Sequence, residues 1–346
     1  MMDVGYHRLL LRIGAVSLPV RRRSLITAAL LAAVLAALAV LSLGLGTYPL
    51  SPRQVILALA GQGGALDRTV VLQWRLPRTL AAVLLGAVLG VAGALFQTVT
   101  RNPLAGPDVL GLANGAFTGM LLVVATGTGD WTLLTLGAVL GGTTAAALIW
   151  LLAHRQGITG FRLIIVGIGV SALLSSTNTW LLLQVELETA MFASAWGAGS
   201  LNGVTATAVR GAAVCAIPLL AVLATLGPRL RQLDLGDDVA TATGARPAGV
   251  RRGALAVAVA LVSVATAVIG PVAFIALAAP QIARRAARTP HLSLGLSALV
   301  GGALLLASDL IAQHVLPVTL PVGVVTVSVG GAYLVTMIIR EIRRYA

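Results

Sequence analysis

Residues 74–116 read WRLPRTLAAVLLGAVLGVAGALFQTVTRNPLAGPDVLGLANGA. Two arginines, Arg75 and Arg78, flank a proline at the start. An apolar, glycine-rich run follows that is long enough to cross a bilayer. It meets a polar break at Arg101-Asn102-Pro103 and then re-enters apolar sequence. A soluble helix of this composition would aggregate. The stretch therefore reads as a hairpin of membrane helices, with a charged mouth at one end and a proline-fixed turn at the other, forming part of a transport pathway.

The rest of the chain agrees with that solvent. It is 58% hydrophobic and only 10% charged, against about 25% charged residues in a soluble domain, and its mean hydropathy is +0.97. The 39 glycines suit close helix packing in lipid. A net charge of +13 could suggest nucleic acid. No basic run is interleaved with aromatics, however, and cytoplasmic loops of membrane proteins collect such charge. All 24 basic residues are arginine. A phosphate-binding loop ends in a lysine, so this chain has none and cannot hydrolyse ATP by that route. No HExxH or CxxC occurs. The single Cys215 lies in an apolar run and reads as a small buried hydrophobe, with neither disulfide nor metal.

Read in order, residues 1–23 form a cytoplasmic tail carrying Arg8, Arg12 and Arg21-Arg22-Arg23. Residues 24–46 hold no charge and make about 34 Å of helix, longer than a signal-peptide core. An outer polar segment, 49–67, precedes spans at 78–100, 104–125, 131–153 and 163–185. A weak segment at 189–201 reads as an outer re-entrant or interfacial helix with Trp196 at headgroup level. Spans follow at 204–227 and 254–268, then a half-length helix at 272–287 and spans at 292–315 and 321–339. Asp130, Glu186 and Glu188 fall outside; His154, Arg155 and Arg162 fall inside. Most arginines lie inside. Only Arg53, Arg68, Arg75 and Arg78 lie outside, and Arg210 is ambiguous. The bias places both termini in the cytoplasm. The result is one all-α polytopic membrane domain, 24–339, of about ten segments, two of them short, with a cytoplasmic tail at 340–346.

Few constellations carry chemistry. Asp309 and His314 are five residues apart, about 140° around a helix, so they share no face. Asp309 lies near the outer end of its span, which favours helix packing or capping over substrate contact. Ser171, Ser175 and Asn178 make one polar stripe, either interhelical glue or a wetted wall. The polar stretch 228–252 is too long for a simple turn between helices. Its centre, Leu235-Gly236-Asp237-Asp238, continues into a short helix-compatible piece ending at Gly244. It is either a solvated loop or a docking helix for a partner.

RLPR (75–78), Gln97, RNPLAGPDVLG (101–111), the LGDD loop (235–238), GPVAFIALAAPQIARR (270–285), ASDL (307–310) and LPVGVVTVSVGG (320–331) together resemble the FecCD family. These are permeases of ABC importers for iron–siderophores, haem and vitamin B12. The resemblance runs from about Ser24 to Arg344. Within the family, FRLIIVGIGVSALL (161–174), NTWLLL (178–183) and WGAGSLNG (196–203) are most similar to the branch serving ferric enterobactin.

The resemblance implies a ten-segment BtuC-like fold of type II ABC importers. It implies a permease dimer, expected to pair with a second FecCD-type chain, two ATPase subunits inside that bind ATP and Mg, and a siderophore-binding protein outside. Arg75 and Arg78 would dock that binding protein, and a third docking arginine of some relatives falls at Gln313. Asn102 and Leu104 would sit at the cytoplasmic gate. Ser175, Asn178 and Thr179 would line the path. Leu235, Gly236, Asp237, Asp238, Thr241 and Gly244 would form the ATPase coupling segment. Many relatives have His at Gln281, which receives no role. The expected function is import of a ferric siderophore, of catecholate type, with no cofactor of the chain's own. Vitamin B12 and haem compete, because the pathway residues separate none of them. An ion-gradient-driven secondary transporter is the rival from another class, and the 228–252 stretch argues against it.

Overall fold

The structure, a computed structural model, describes residues 8–13, 16–108, 111–127, 131–153, 160–289 and 291–345. Asp130, His154 and Arg155 lie outside the described residues. A short antiparallel hairpin of β1 (Arg8–Ile13) and β2 (Val16–Arg21) occupies most of the expected tail, with Arg8 opposite Arg21. It runs directly into α1 (Arg22–Gly44). The outer segment folds as α2 (Pro52–Leu59), started by a capping box in which Ser51 and Gln54 satisfy each other's backbone N–H. Then α3 (Ala65–Arg68), a π-helical stretch (Thr69–Arg75) and α4 (Leu76–Thr100) run on as one helix of 36 residues.

That continuity corrects the span read as 78–100. At 1.5 Å per residue the helix is about 54 Å long, far beyond a hydrocarbon core of about 30 Å. Arg75 and Arg78 therefore sit within a helix rather than at its mouth. After it come α5 (Leu112–Val124), α6 (Trp131–Ala153), α7 (Gly160–Gln184), α8 (Leu187–Gly197) and α9 (Ala206–Leu233). The chain ends with α10 (Asp237–Ala242), α11 (Pro247–Ile269), α12 (Ile275–Ala287), α13 (Leu294–His314) and α14 (Val322–Tyr345). Among the described residues seven helices are long and apolar enough to cross a membrane. With α5, α12 and α14 the membrane segments number ten.

Three further expectations change. The 228–252 stretch is mostly helical, because α9 continues through Pro228 to Leu233 and α11 begins at Pro247. Charged residues beyond the bilayer read as loop, yet Arg231 in the last turn of α9 suits the negative end of a helix. Trp196 is buried rather than at headgroup level, and it stacks on Phe117 with ring centroids 6.1 Å apart. Cys215 is exposed on α9, since an apolar residue in a membrane helix faces lipid as readily as protein.

The packing centre is α4, surrounded by α9, α11, α12 and α13. Its small residues decide this. Gly86 and Gly90 lie against the backbone of Gly301 and Ser297 on α13, and Gly93 lies against Ala276 on α12. A second crossing joins α5 to α6, where Gly115 and Gly119 face Gly141 and Gly137. Without a hydrophobic driving force between helices in lipid, such close backbone approach supplies the association. Gly119→Ala should accordingly destabilise by about 1–3 kcal/mol, because its Cβ would meet the Gly137 carbonyl. Gly211 on α9 has open space around it. Gly211→Ala should instead be neutral or stabilise by up to about 1 kcal/mol. Thermal unfolding of the two variants in detergent separates these outcomes, and equal shifts would refute the packing argument.

Candidate functional site

Three clusters hold the sequence-predicted residues. On the α2 side Arg75 is half-buried, and its guanidinium donates to three carbonyls: Leu43 at 2.9 Å, Gly44 at 3.2 Å and Tyr48 at 2.6 Å. It thus closes the C-terminal end of α1, where helix carbonyls lack intrahelical partners. Arg78 makes a bidentate pair with Asp309, Nε to Oδ2 at 2.9 Å and Nη2 to Oδ1 at 2.7 Å, and its Nη1 donates to Asn202. Gln313 donates to the same carboxylate at 2.7 Å. The Asp309 side chain is 1% exposed and that of Arg78 20%. Asp309 therefore packs helices, tying α13 to α4. Arg53 and Arg68 are exposed on this face, and Arg210 in the first turns of α9 is exposed as well.

Along α7 the polar stripe divides. Asn178 is buried; its amide donates to the Asn114 carbonyl at 3.1 Å and its oxygen accepts from Thr118 at 2.6 Å. Ser171 accepts from the Asn114 side chain at 2.8 Å. Both residues join α7 to α5. Ser175 and Thr179 are exposed, and the Thr179 hydroxyl bonds back to the Ser175 carbonyl. Asn114 and Thr118 are hydrogen-bond partners that no spacing rule picks out, because they lie on a different helix from the stripe they satisfy.

The third cluster lies where α4 ends. Arg101 adopts the left-handed conformation that terminates α4. Asn102 then accepts the Leu104 N–H at 2.9 Å in an Asx turn, and Leu104 is 43% exposed. Gln97 and Gln281 are both buried and bonded to each other at 2.6 Å. With Arg101, Asn102, Asp234, Arg284 and His291 they line a polar cleft of about 290 Å³. Gln281, to which the sequence assigned nothing, thus links α12 to α4.

Beside that cleft α10 is bracketed by Gly236 and Gly244, whose φ angles of 106° and 86° suit glycine. Asp237 Oδ1 accepts from Arg101 at 2.7 Å and from Arg251 at 2.6 Å, clamping α10 to the ends of α4 and α11. The Arg251 hydrogen bond, then the charges of Arg251 and Arg101, hold the Asp237 carboxyl below the usual carboxylate range. Asp234 pairs with His291 at 3.3 Å; burial raises its pKa against that attraction. Leu235, Asp238, Val239 and Thr241 face outward, with Leu235 61% exposed. The sequence reading missed Arg101, Arg251 and Val239. The clue for Val239 was its place as the apolar residue immediately after the acidic pair Asp237-Asp238.

The FecCD transport family model matches residues 33–340. The chain is 48% identical over 326 residues to the ferric enterobactin transport system permease protein FepG of Escherichia coli, spanning 94% of this chain and 99% of that protein. It is 37% identical over 312 residues to the ferric enterobactin transport system permease protein FepD of the same organism, 88% of this chain and 92% of that one. Its fold is also similar, at a TM-score of 0.81 and 26% identity, to an ABC transporter described as of metal-chelate type and solved in an inward-facing conformation. That match covers 90% of this chain and 98% of the other.

Proposed function

This chain belongs to the FecCD transport family, and on that premise we propose that it is the permease subunit of an ABC importer for a ferric siderophore of catecholate type. The observation that carries the substrate is the 48% identity to a ferric enterobactin permease across nearly the full length of both chains. Energy comes from elsewhere. The chain has no lysine for a phosphate-binding loop, so two partner ATPases bind ATP and Mg and seat against α10 through Leu235, Asp238, Val239 and Thr241. Gly236 and Gly244 let that segment move, and Asp237 passes the movement to α4 and α11.

The arginine distribution supports a cytoplasmic location for both termini and for α10. The opposite face then meets an external binding protein. Arg75 and Arg78 give that face its shape, and the outer edge of Arg78 joins the exposed Arg53 and Arg68 in docking acidic groups. Ser175 and Thr179 line the path with Asn178 behind them, and Asn102 and Leu104 form the inner gate. The largely exposed faces of α7 and α14 fit a second permease chain. A mixed pair is supported by the similarity of this chain to two permeases of one system, FepG and FepD. Alternating access would tilt α7 and α14 against that partner.

Uptake of labelled iron in cells lacking this chain tests the substrate. Catecholate-dependent uptake should fall to background while hydroxamate, haem and cobalamin uptake persist. Loss confined to any of those three would keep the permease and overturn the substrate. Uptake that survives deletion of the ATPase but collapses with the ion gradient would favour a secondary transporter instead.

A further inference from the structure

A groove of about 420 Å³ opens between α4, α5, α6 and α11. Its walls are apolar, including Phe96, Ala146, Ile149, Leu255 and Val259. Such a volume falls in the range of about 300–1,000 Å³ that holds discrete ligands. One end is different. Trp150, near the end of α6, and Arg252, near the start of α11, both line it there. Arg252 is exposed, and its Nε bonds only the Ala248 carbonyl of its own helix, at 3.4 Å. Among the described residues no carboxylate pairs with it.

The helices run antiparallel past the groove. From Arg252 to Ala260 it extends about 12 Å along α11, most of one leaflet of a hydrocarbon core about 30 Å thick. Trp150 and Arg252 thus lie at the membrane boundary on the α10 side, where tryptophan and arginine are at home. Thr143 and Ala260 mark the deep end. A cation at the boundary above an apolar slot one leaflet deep matches a single chemistry. We propose that this groove is a binding site for one anionic phospholipid, its phosphate on Arg252 and one acyl chain along α6 and α11. Apolar walls alone would not select a lipid, because acyl chains are as apolar as the groove everywhere in the bilayer. Selectivity comes from Arg252, and the site is independent of what the transporter carries.

Fluorescence quenching tests it on the purified transporter with its partner subunits, reconstituted in nanodiscs. The probe is brominated phosphatidylglycerol or brominated phosphatidylcholine, and the Trp150 signal is obtained by difference against Trp150→Phe. Brominated phosphatidylglycerol should quench about fivefold more effectively, the attraction of one arginine for an anionic headgroup. Arg252→Gln should bring that ratio to about one. Ala256→Phe, an exposed change that fills the slot, should reduce quenching by both lipids. Equal quenching by the two lipids in wild type would reduce the site to bulk lipid and overturn the proposal. So would absence of quenching by either, which would mean that another protein chain covers the groove.

Discussion

Asp309→Ala should lower stability by about 3 kcal/mol, the lower end for removing one partner of a buried ion pair. Arg78 keeps 20% of its side chain in contact with the surroundings, which puts the cost at that end. The variant strips the Arg78 guanidinium of two hydrogen bonds and Gln313 of one. Asp309→Asn should fall between, since an amide oxygen still accepts from one of them. The double variant Arg78→Met with Asp309→Leu should recover most of the stability, because an apolar pair of similar volume replaces a buried ion pair at little cost. Unfolding temperatures in detergent measure all three. The same double variant separates structure from docking: stability should return while uptake does not, because the outer edge of Arg78 is gone. If uptake returned as well, Arg78 would leave the docking surface and Arg53 and Arg68 would carry it alone.

The legible part of this fold was what lipid imposes on every span, and the illegible part was which way each span faces. Hydropathy marks α1 and the 78–100 part of the helix 65–100 equally well as spans, while the start of that helix reads as outer polar segment. Yet hardly any of α1 is buried, whereas most of the longer helix is. In water an apolar face points inward, whereas in a bilayer both faces are apolar and the signal vanishes. That is why Cys215 was misplaced outright and Trp196 was put at the headgroups. The direction is written instead in small residues, and Gly86, Gly90 and Gly93 on α4 mark the helix that α12 and α13 pack against most closely. Polar residues in spans were legible as important but not as partners. Ser171 and Asn178 share a face with Ser175, and only the neighbouring Asn114 and Thr118 distinguish glue from exposed wall. The short helix 275–287 is legible nearly to its bounds because Gly270-Pro271 precedes it, whereas 237–242 reads equally as solvated loop or docking helix, and charge on α9 and α11 disguises helix as loop.

In the α10 segment, two neighbouring kinds of side chain should fail in opposite ways. A helix of six residues does not hold in isolation. Here Ala240 is buried, the two aspartates of the first turn suit the helix N-terminus, and Asp237 is clamped between Arg101 and Arg251. Leu235 and Val239 have no such work inside the chain, at 61% and 44% exposed. Burying what the two leave exposed against an ATPase would contribute together about 1.5–3 kcal/mol, roughly tenfold to a hundredfold in affinity. Leu235→Asp with Val239→Asp should therefore abolish co-purification of the ATPase while leaving the permease folded. Asp237→Ala should retain the ATPase and its hydrolysis but lose most transport, since α10 would move without pulling α4 and α11. The carboxyl of Asp237 titrates below the ordinary range, so its clamp is complete at neutral pH and is lost only as pH falls through that lowered value. Coupling of hydrolysis to transport should then hold constant from about pH 8 to pH 5, above the ordinary aspartate value of about 3.9. Loss of the ATPase in Asp237→Ala, or its retention in the double aspartate variant, would show that the inward and outward faces of α10 do not divide the labour in this way.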